Sequence, residues 1–345
     1  MRVLGPPVLR DRFKRGGSEF CPFERAQQPH LMEEEVYDDN LLAWTRFLTG
    51  KRLAEDVSAE LQRKHADVVV VDAFLPAGLC AAEREAIPAV ALLHVLYQPS
   101  VSGDIAEQWD SAWPMVSTTR ARLGLAPLES SSSLISALWS KAAAVLVCVP
   151  QSFDYESPEQ TANVHYVGPI FDDPPGKPTG RDGSTVLVSF STTDMRQAGA
   201  VQRSLDALSG LDVRVVCTLG GVRVDGLRIP PNATVFDWLP HSEILPRTSL
   251  VVTHAGLSTV MTSLAAGVPL VCLPMGRDQP HNAERVSALG LGVSVGYDAD
   301  ANDVEAACAE VLGSPAFAKQ ACLMAGEIAG YGNGARAVSE IESLL

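Results

Sequence analysis

Apolar residues in this chain gather into short unbroken runs rather than into strict alternation. Asp67–Val71 (DVVVV), Pro88–Leu93 (PAVALL) and Ala144–Val149 (AVLVCV) each read as a strand buried on both faces. Arg2–Gly5 and Tyr166–Gly168 are shorter candidates, and Ala77–Ala86 between two of the runs reads as a helix. The rhythm breaks at Phe171–Gly183 (FDDPPGKPTGRDG), where Pro, Gly and mixed charges take over, the composition of a linker. It then restarts. Strands are predicted at Thr185–Phe190, Val213–Thr218, Thr234–Phe236, Leu250–Thr253, Leu270–Leu273 and Val293–Val295. Helices are predicted at Ala198–Ser209, Gly256–Ala266, His281–Leu289, Asp303–Leu312 and Ala335–Leu344. Apolar strands separated by helices imply parallel sheets covered on both sides. The expected fold is α/β: two doubly wound, Rossmann-like domains over residues 1–172 and 184–345, joined by a linker at 173–183.

Length agrees with two domains, since 345 residues exceed what one compact core usually holds. The charge, 27 basic against 41 acidic residues for a net −14, argues against binding to nucleic-acid backbones. Seven cysteines form no CxxC pair, and Cys148, Cys217 and Cys272 sit inside apolar runs, as reduced buried thiols of a cytoplasmic protein would. No run has the length of a membrane span, and the first residues, MRVLGPPVLRDRF, lack the apolar core of a signal peptide.

The chemistry concentrates between Phe236 and Asn282. The strand Leu250–Thr253 ends in His254, followed by Ala255, Gly256, Leu257, Ser258 and Thr259 at the start of a helix. A strand end running into a helix start offers free N–H groups and a positive dipole end, a setting that binds phosphate. His254 adds a ring N–H or a charge to the same anion. The next strand leads to Gly276-Arg277-Asp278-Gln279-Pro280, where a carboxylate and an amide stand side by side. Such a pair suits sugar hydroxyls, or it is a solvated turn. Trp238 with Leu239, held by Pro240, is a stacking platform for a nucleobase or a core side chain. Ser191-Thr192-Thr193 is a run of hydroxyls just past a strand end. Asp72, at the end of DVVVVD, either serves the site or caps the following helix. His94 after PAVALL is a cleft-lining or an interior histidine, and Trp109 and Trp113 line a pocket or an ordinary helix face. No metal-ligand cluster is visible.

These residues resemble the nucleotide-sugar-dependent glycosyltransferases of the GT-B fold, most closely the bacterial enzymes that glycosylate macrolides, polyketides and other natural products, and more distantly the plant UDP-glycosyltransferases. The resemblance implies that His254, Gly256, Leu257 and Ser258 surround the donor diphosphate. It implies that Trp238 stacks on the base, that Asp278 and Gln279 hold the sugar, and that Ser191 and Thr192 approach the phosphates. Asp72 resembles the aspartate that orients a catalytic histidine. The implied activity is inverting transfer of a hexose or deoxyhexose from a UDP- or TDP-sugar donor to a hydroxyl of a small apolar acceptor, without metal or cofactor. The family's catalytic histidine stands in a Gly-His loop after the first strand, whereas MRVLGPP resembles the second strand. One strand and one helix, roughly 30 residues, are therefore expected to be missing. His30, in QQPHLMEEE, does not look like that loop. The chain by itself is then expected to be a poor transferase, with a non-catalytic helper that keeps the donor fold as the alternative. An epimerase of similar fold would need carboxylates converging on the sugar, and no such set is visible.

Overall fold

The computed structural model describes residues 1–27, 37–129, 132–156, 161–176, 185–193, 195–221 and 225–345. His30 therefore lies outside the described residues. The chain packs as two compact units. One comprises Met1–Val147, Glu156–His165 and Ala337–Leu345, the other Cys148–Tyr155 and Tyr166–Arg336.

The first unit holds β1 (Arg2–Gly5), β2 (Glu19–Pro22), β3 (Val69–Asp72), β4 (Ala89–Leu93) and β5 (Ala144–Val147), with β6 (Val164–Tyr166) at its boundary. β1 and β2 pair in parallel as a two-stranded sheet of their own. The larger sheet runs β3-β4-β5-β6, so β3 is its outer strand, with Val70 at 48% exposure. β4 and β5 are fully apolar and buried apart from the partly buried Leu92, which is why they appear as continuous runs in the sequence. β3 and β4 pair in register Asp72↔Leu92, which sets the ends of the two strands side by side.

Helices not evident from periodicity complete this unit. Lys51–Arg63 buries Leu53 and Ala54 but also Asp56 and Ser58, so its apolar stripe is interrupted by polar residues. Asp56 is buried because its carboxylate accepts the backbone N–H groups of Glu24, Arg25 and Ala26, at 2.9–3.1 Å, together with the Arg25 guanidinium. Arg120, fully buried on the helix Trp113–Leu123, donates to both Glu83 oxygens and to the Ala126 carbonyl, pinning that helix to Pro76–Arg84.

The second unit contains β7 (Thr185–Ser189), β8 (Arg214–Thr218), β9 (Ala233–Phe236), β10 (Leu250–Thr253), β11 (Leu270–Cys272) and β12 (Gly292–Ser294). They form one parallel sheet in the order β12-β11-β10-β7-β8-β9. Val186, Val188, Val215, Cys217, Leu250, Val252 and Val271 pack with Leu205, Leu208, Val304, Cys308 and Val311 from the helices Ala198–Leu208 and Ala301–Gly313. Leu187, Val251 and Val216 point the other way and are buried as well. Each such side chain removed from water contributes about 1.5–3 kcal/mol, which sets the register firmly. The helix Pro315–Gly330 follows; its buried residues are only Ala321, Met324 and Ile328. Among the described residues no helix is long and apolar enough to cross a membrane.

The order of this sheet matters for function. From β7 the chain moves out through β8 to β9, then returns to the opposite side of β7 for β10, β11 and β12. Connections therefore diverge between β7 and β10. In a doubly wound sheet the crevice outside the carboxyl ends at that switch point is where ligands bind.

Candidate functional site

His254 stands at the switch point, one residue past β10 and beside the end of β7. Its ring is 7% exposed and stacks on Phe190, with centroids 6.1 Å apart and planes at 26°. Thr253 Oγ1 lies 3.4 Å from its Nδ1. The ring also lies close to Gly256: a Cβ at that position would sit 2.6 Å from His254 Nε2. The glycine here serves a close approach of the histidine ring. The left-handed turn is made instead by Ala255, at φ 65, and Gly256 itself is ordinary at φ −60. The helix begins at Leu257, one residue later than the sequence pattern predicts, with Gly256 as an N-cap that supplies no side-chain acceptor. The first-turn N–H groups are left without an intrahelical partner. Leu257 is buried and anchors the turn, while Ser258 is exposed.

Burial, reinforced by the charge of Arg277, pushes the His254 pKa down to about 4. At neutral pH its ring is uncharged and offers a single N–H donor. Positive character comes from the helix start and from Arg277, an exposed cation that the sequence reading left without a role. Arg277 sits at φ 58, directly after Gly276 at φ 148, so two left-handed residues shape this loop.

Asp278 precedes the helix Gln279–Ala288 and is partly exposed. One of its oxygens accepts from Asn282 Nδ2 at 2.8 Å. Gln279 is 3% exposed; its Oε1 accepts from the Met275 N–H at 2.8 Å and its Nε2 lies 3.4 Å from Met195 Sδ. Its carbonyl therefore holds the loop, and Asp278 is the more accessible of the two. Asn282, fully buried, also donates to the Ala255 carbonyl at 3.0 Å and so ties the turn after His254 to the loop carrying Asp278. Its Oδ1 is buried without a hydrogen-bond partner. The sequence reading passed over it because an asparagine inside a helix carries no periodic signal.

Ser191 is buried; its hydroxyl accepts from the Thr193 N–H at 3.0 Å and its carbonyl from Gln197 Nε2 at 2.9 Å. Thr192 is exposed at the tip of that turn. Beneath the same edge, Ser189 Oγ accepts from Thr218 Oγ1 at 2.9 Å and lies 3.1 Å from His241 Nε2. Burial lowers the pKa of His241. Trp238, two residues past β9, is 65% exposed and so is not a core residue; Leu239 beside it is partly buried. β9 is three strand spacings from β10, roughly 14 Å at the usual separation. That places an aromatic face and a helix start along one sheet edge.

In the first unit, Asp72 does not cap the helix Pro76–Arg84, whose N-cap is Leu75. Its Oδ1 instead accepts the Phe74 N–H at 2.9 Å, and its Oδ2 lies 3.5 Å from His94 Nδ1. The His94 side chain is 58% exposed, which sets aside the interior reading. Phe74 packs edge-on to His94, stacks on Trp109 at 5.3 Å and approaches Trp139 at 6.1 Å. Trp139 is buried and donates to the Ala73 carbonyl at 3.1 Å. Among the described residues no group of three His, Cys, Asp or Glu side chains is placed to hold a metal ion.

Residues 202–344 match the family described as erythromycin biosynthesis protein CIII-like, C-terminal domain. The chain is 28% identical over 285 residues to human UDP-glucuronosyltransferase 3A1, covering 70% of this chain and 54% of that protein. It is 30% identical over 207 residues to demethyllactenocin mycarosyltransferase of Streptomyces fradiae, covering 58% of this chain and 45% of that one. The chain thus spans about half the length of these curated relatives. The crystal structure of the glycotransferase of kitacinnamycin superposes with a TM-score of 0.81 at 20% identity, over 100% of this chain and 91% of that one. At that identity the likeness carries the fold alone, and the fold is GT-B, two doubly wound α/β domains.

Proposed function

We propose that this chain of GT-B fold, whose C-terminal region matches the erythromycin CIII-like domain, binds a nucleoside diphosphate sugar and transfers its sugar, with inversion, to a hydroxyl of a small apolar acceptor. The observation that carries the proposal is the edge at the β7/β10 switch point. There a neutral His254 N–H, the start of the helix Leu257–Ala265 and the Arg277 guanidinium stand at one end. The exposed Trp238 stands at the other. Phosphate at the helix start and a base against Trp238 use both ends of one edge.

In this reading the diphosphate is held by fixed N–H dipoles and by Arg277, which stabilise the charge that develops as it leaves. A neutral His254 contributes a directed hydrogen bond. Asp278, with one oxygen already held by Asn282, presents its remaining acceptor capacity to donor-sugar hydroxyls. Gln279 acts on the sugar only indirectly, through the loop it holds. The relatives in macrolide biosynthesis favour a natural-product acceptor. The proposed donor is a UDP- or TDP-sugar, and the reaction as drawn uses no metal and no cofactor.

The test is an assay of UDP- and TDP-hexoses against a panel of phenolic and macrolide acceptors, with product stereochemistry read by NMR. Products of inverted anomeric configuration are expected. Retention of configuration overturns the mechanism, and nucleoside diphosphate binding without transfer to any acceptor favours a non-catalytic helper.

A further inference from the structure

We infer that an open cleft at the carboxyl ends of β1 and β2 binds an amphipathic oxyanion, a flat apolar body carrying a carboxylate or phosphate group. The cleft is built from the first unit alone and does not depend on the sugar-transfer reading.

β1 and β2 are parallel neighbours, so the segments that follow them leave the sheet at the same edge. Val8 follows β1, Phe23 follows β2, and both line a cleft of about 1260 Å³. The helix Tyr37–Leu48, the start of the helix Lys51–Arg63 and Arg122 contribute to the rest of the lining. Its parts are held in place. Gly50 makes the corner between the first two helices, where a Cβ would overlap the Arg46 carbonyl oxygen. Thr119 Oγ1 donates to the Thr49 carbonyl at 2.8 Å and so docks the helix that carries Arg122 on this corner. The buried Asp56 carboxylate, by accepting the N–H groups of Glu24, Arg25 and Ala26, fixes the segment after β2. Phe47 meets Phe23 edge-on at 6.0 Å and Trp44 edge-on at 5.7 Å.

The lining specifies the ligand's chemistry. In a chain of net charge −14, four cations converge here: Arg46, Lys51, Arg52 and Arg122. Two acids share the lining; Glu55 is paired with Lys51 at 3.0 Å, and the other is Glu24. Arg46, Arg52 and Arg122 have no carboxylate partner among the described residues. They come from three different helices, so they repel one another, and a bound anion relieves that repulsion. A guanidinium fork matches a carboxylate or a phosphate through two parallel hydrogen bonds. Beside these charges, Val8 is 80% exposed and the Phe23–Phe47 pair offers an aromatic surface. A small inorganic anion leaves that surface unused, and a neutral aromatic leaves the guanidiniums unpaired. A ligand that is apolar at one end and anionic at the other uses both.

The experiment titrates the full chain by calorimetry with 2-naphthoate, 2-naphthyl phosphate, neutral 2-naphthamide and acetate, each with and without an excess of UDP. At least one naphthyl oxyanion should bind about tenfold more tightly than 2-naphthamide or acetate, and equally well with UDP present. Whichever naphthyl acid binds more tightly identifies the head group. Arg46→Gln, Arg52→Gln and Arg122→Gln should each weaken that binding about 3- to 10-fold and leave 2-naphthamide unchanged. Lys51→Gln, whose charge is already shared with Glu55, and Arg228→Gln on the second unit should change it less than about twofold. All five positions are exposed, so these variants keep the fold. Naphthyl oxyanions that bind no better than 2-naphthamide or acetate, that keep their affinity in all three arginine variants, or that are displaced by UDP overturn the site.

Discussion

Two histidines stand at the carboxyl ends of two parallel sheets, and their settings are opposite. His254 is buried beside Phe190 and Gly256, and burial holds it neutral, with a pKa pushed down to about 4. His94 is exposed, with a tethered carboxylate 3.5 Å from its ring. The same side chain, one residue past a parallel strand in each sheet, thereby stands in two different settings. One ring is buried and held neutral, and the other is open to solvent beside a carboxylate. The position on the fold is common to both, and the immediate neighbours decide the chemistry.

The largest effect that could break this contrast is on stability in acid. His254 has a folded-state pKa of about 4 against an ordinary 6.5. The folded protein therefore binds fewer protons than the unfolded chain between those values. Its neutral ring contributes fully above pH 6.5, and that contribution is lost as pH falls toward 4. The loss amounts to about 3 kcal/mol. Denaturant melts from pH 7 to pH 4 should show this slope in the wild type and a shallower one in His254→Asn. Parallel slopes in the two proteins would mean that His254 is not desolvated, and the contrast with His94 would fail.

A somewhat smaller effect concerns Asn282, which bridges the Ala255 carbonyl and Asp278. Asn282→Leu leaves a carbonyl and a carboxylate without that donor and should cost about 1–3 kcal/mol of stability. It should also weaken nucleoside diphosphate binding, because the His254 turn loses its tie to the Arg277 loop. A melt shifted as expected with affinity unchanged would reduce Asn282 to a structural bond.

The smallest effect sharpens the division of labour within the proposed donor site. Asp278→Ala should weaken a nucleotide sugar about tenfold, roughly 1.4 kcal/mol, and leave the bare nucleoside diphosphate unaffected. Calorimetry with both ligands separates the two, and equal weakening would place Asp278 on the phosphates.

What could be read from the sequence follows the physics of burial. β4, β5, β7, β8, β10 and β11 are buried on both faces or nearly so, and continuous apolar runs announced them. Lys51–Arg63 and Pro315–Gly330 were not visible. The first buries Asp56 in a nest of backbone N–H groups, and the second packs through Ala321, Met324 and Ile328 among small residues. β2 is a four-residue strand with an exposed first position and no fully buried one, too weak a pattern to stand out. In the site, the strand-to-helix turn after His254 was legible because Gly and hydroxyl residues cluster there. Its details were not: the positive φ belongs to Ala255, and Gly256 is small to admit a ring. Gln279 faces inward and Asp278 outward, which side-by-side residues in a loop do not reveal. The pairing of Asp72 with His94, and of Ser189 with Thr218 and His241, depends on strand register across the sheet. Register joins residues far apart in sequence, so no local pattern carries it.

The most direct test of the central claim is calorimetric titration of the full chain and of His254→Ala with UDP and TDP, using the matching nucleosides as controls. The account predicts that the wild type binds a diphosphate more tightly than its nucleoside. It predicts that His254→Ala loses about 1–3 kcal/mol of that affinity while nucleoside binding at Trp238 is unchanged. A diphosphate bound no better than its nucleoside, or bound equally by both proteins, would contradict it.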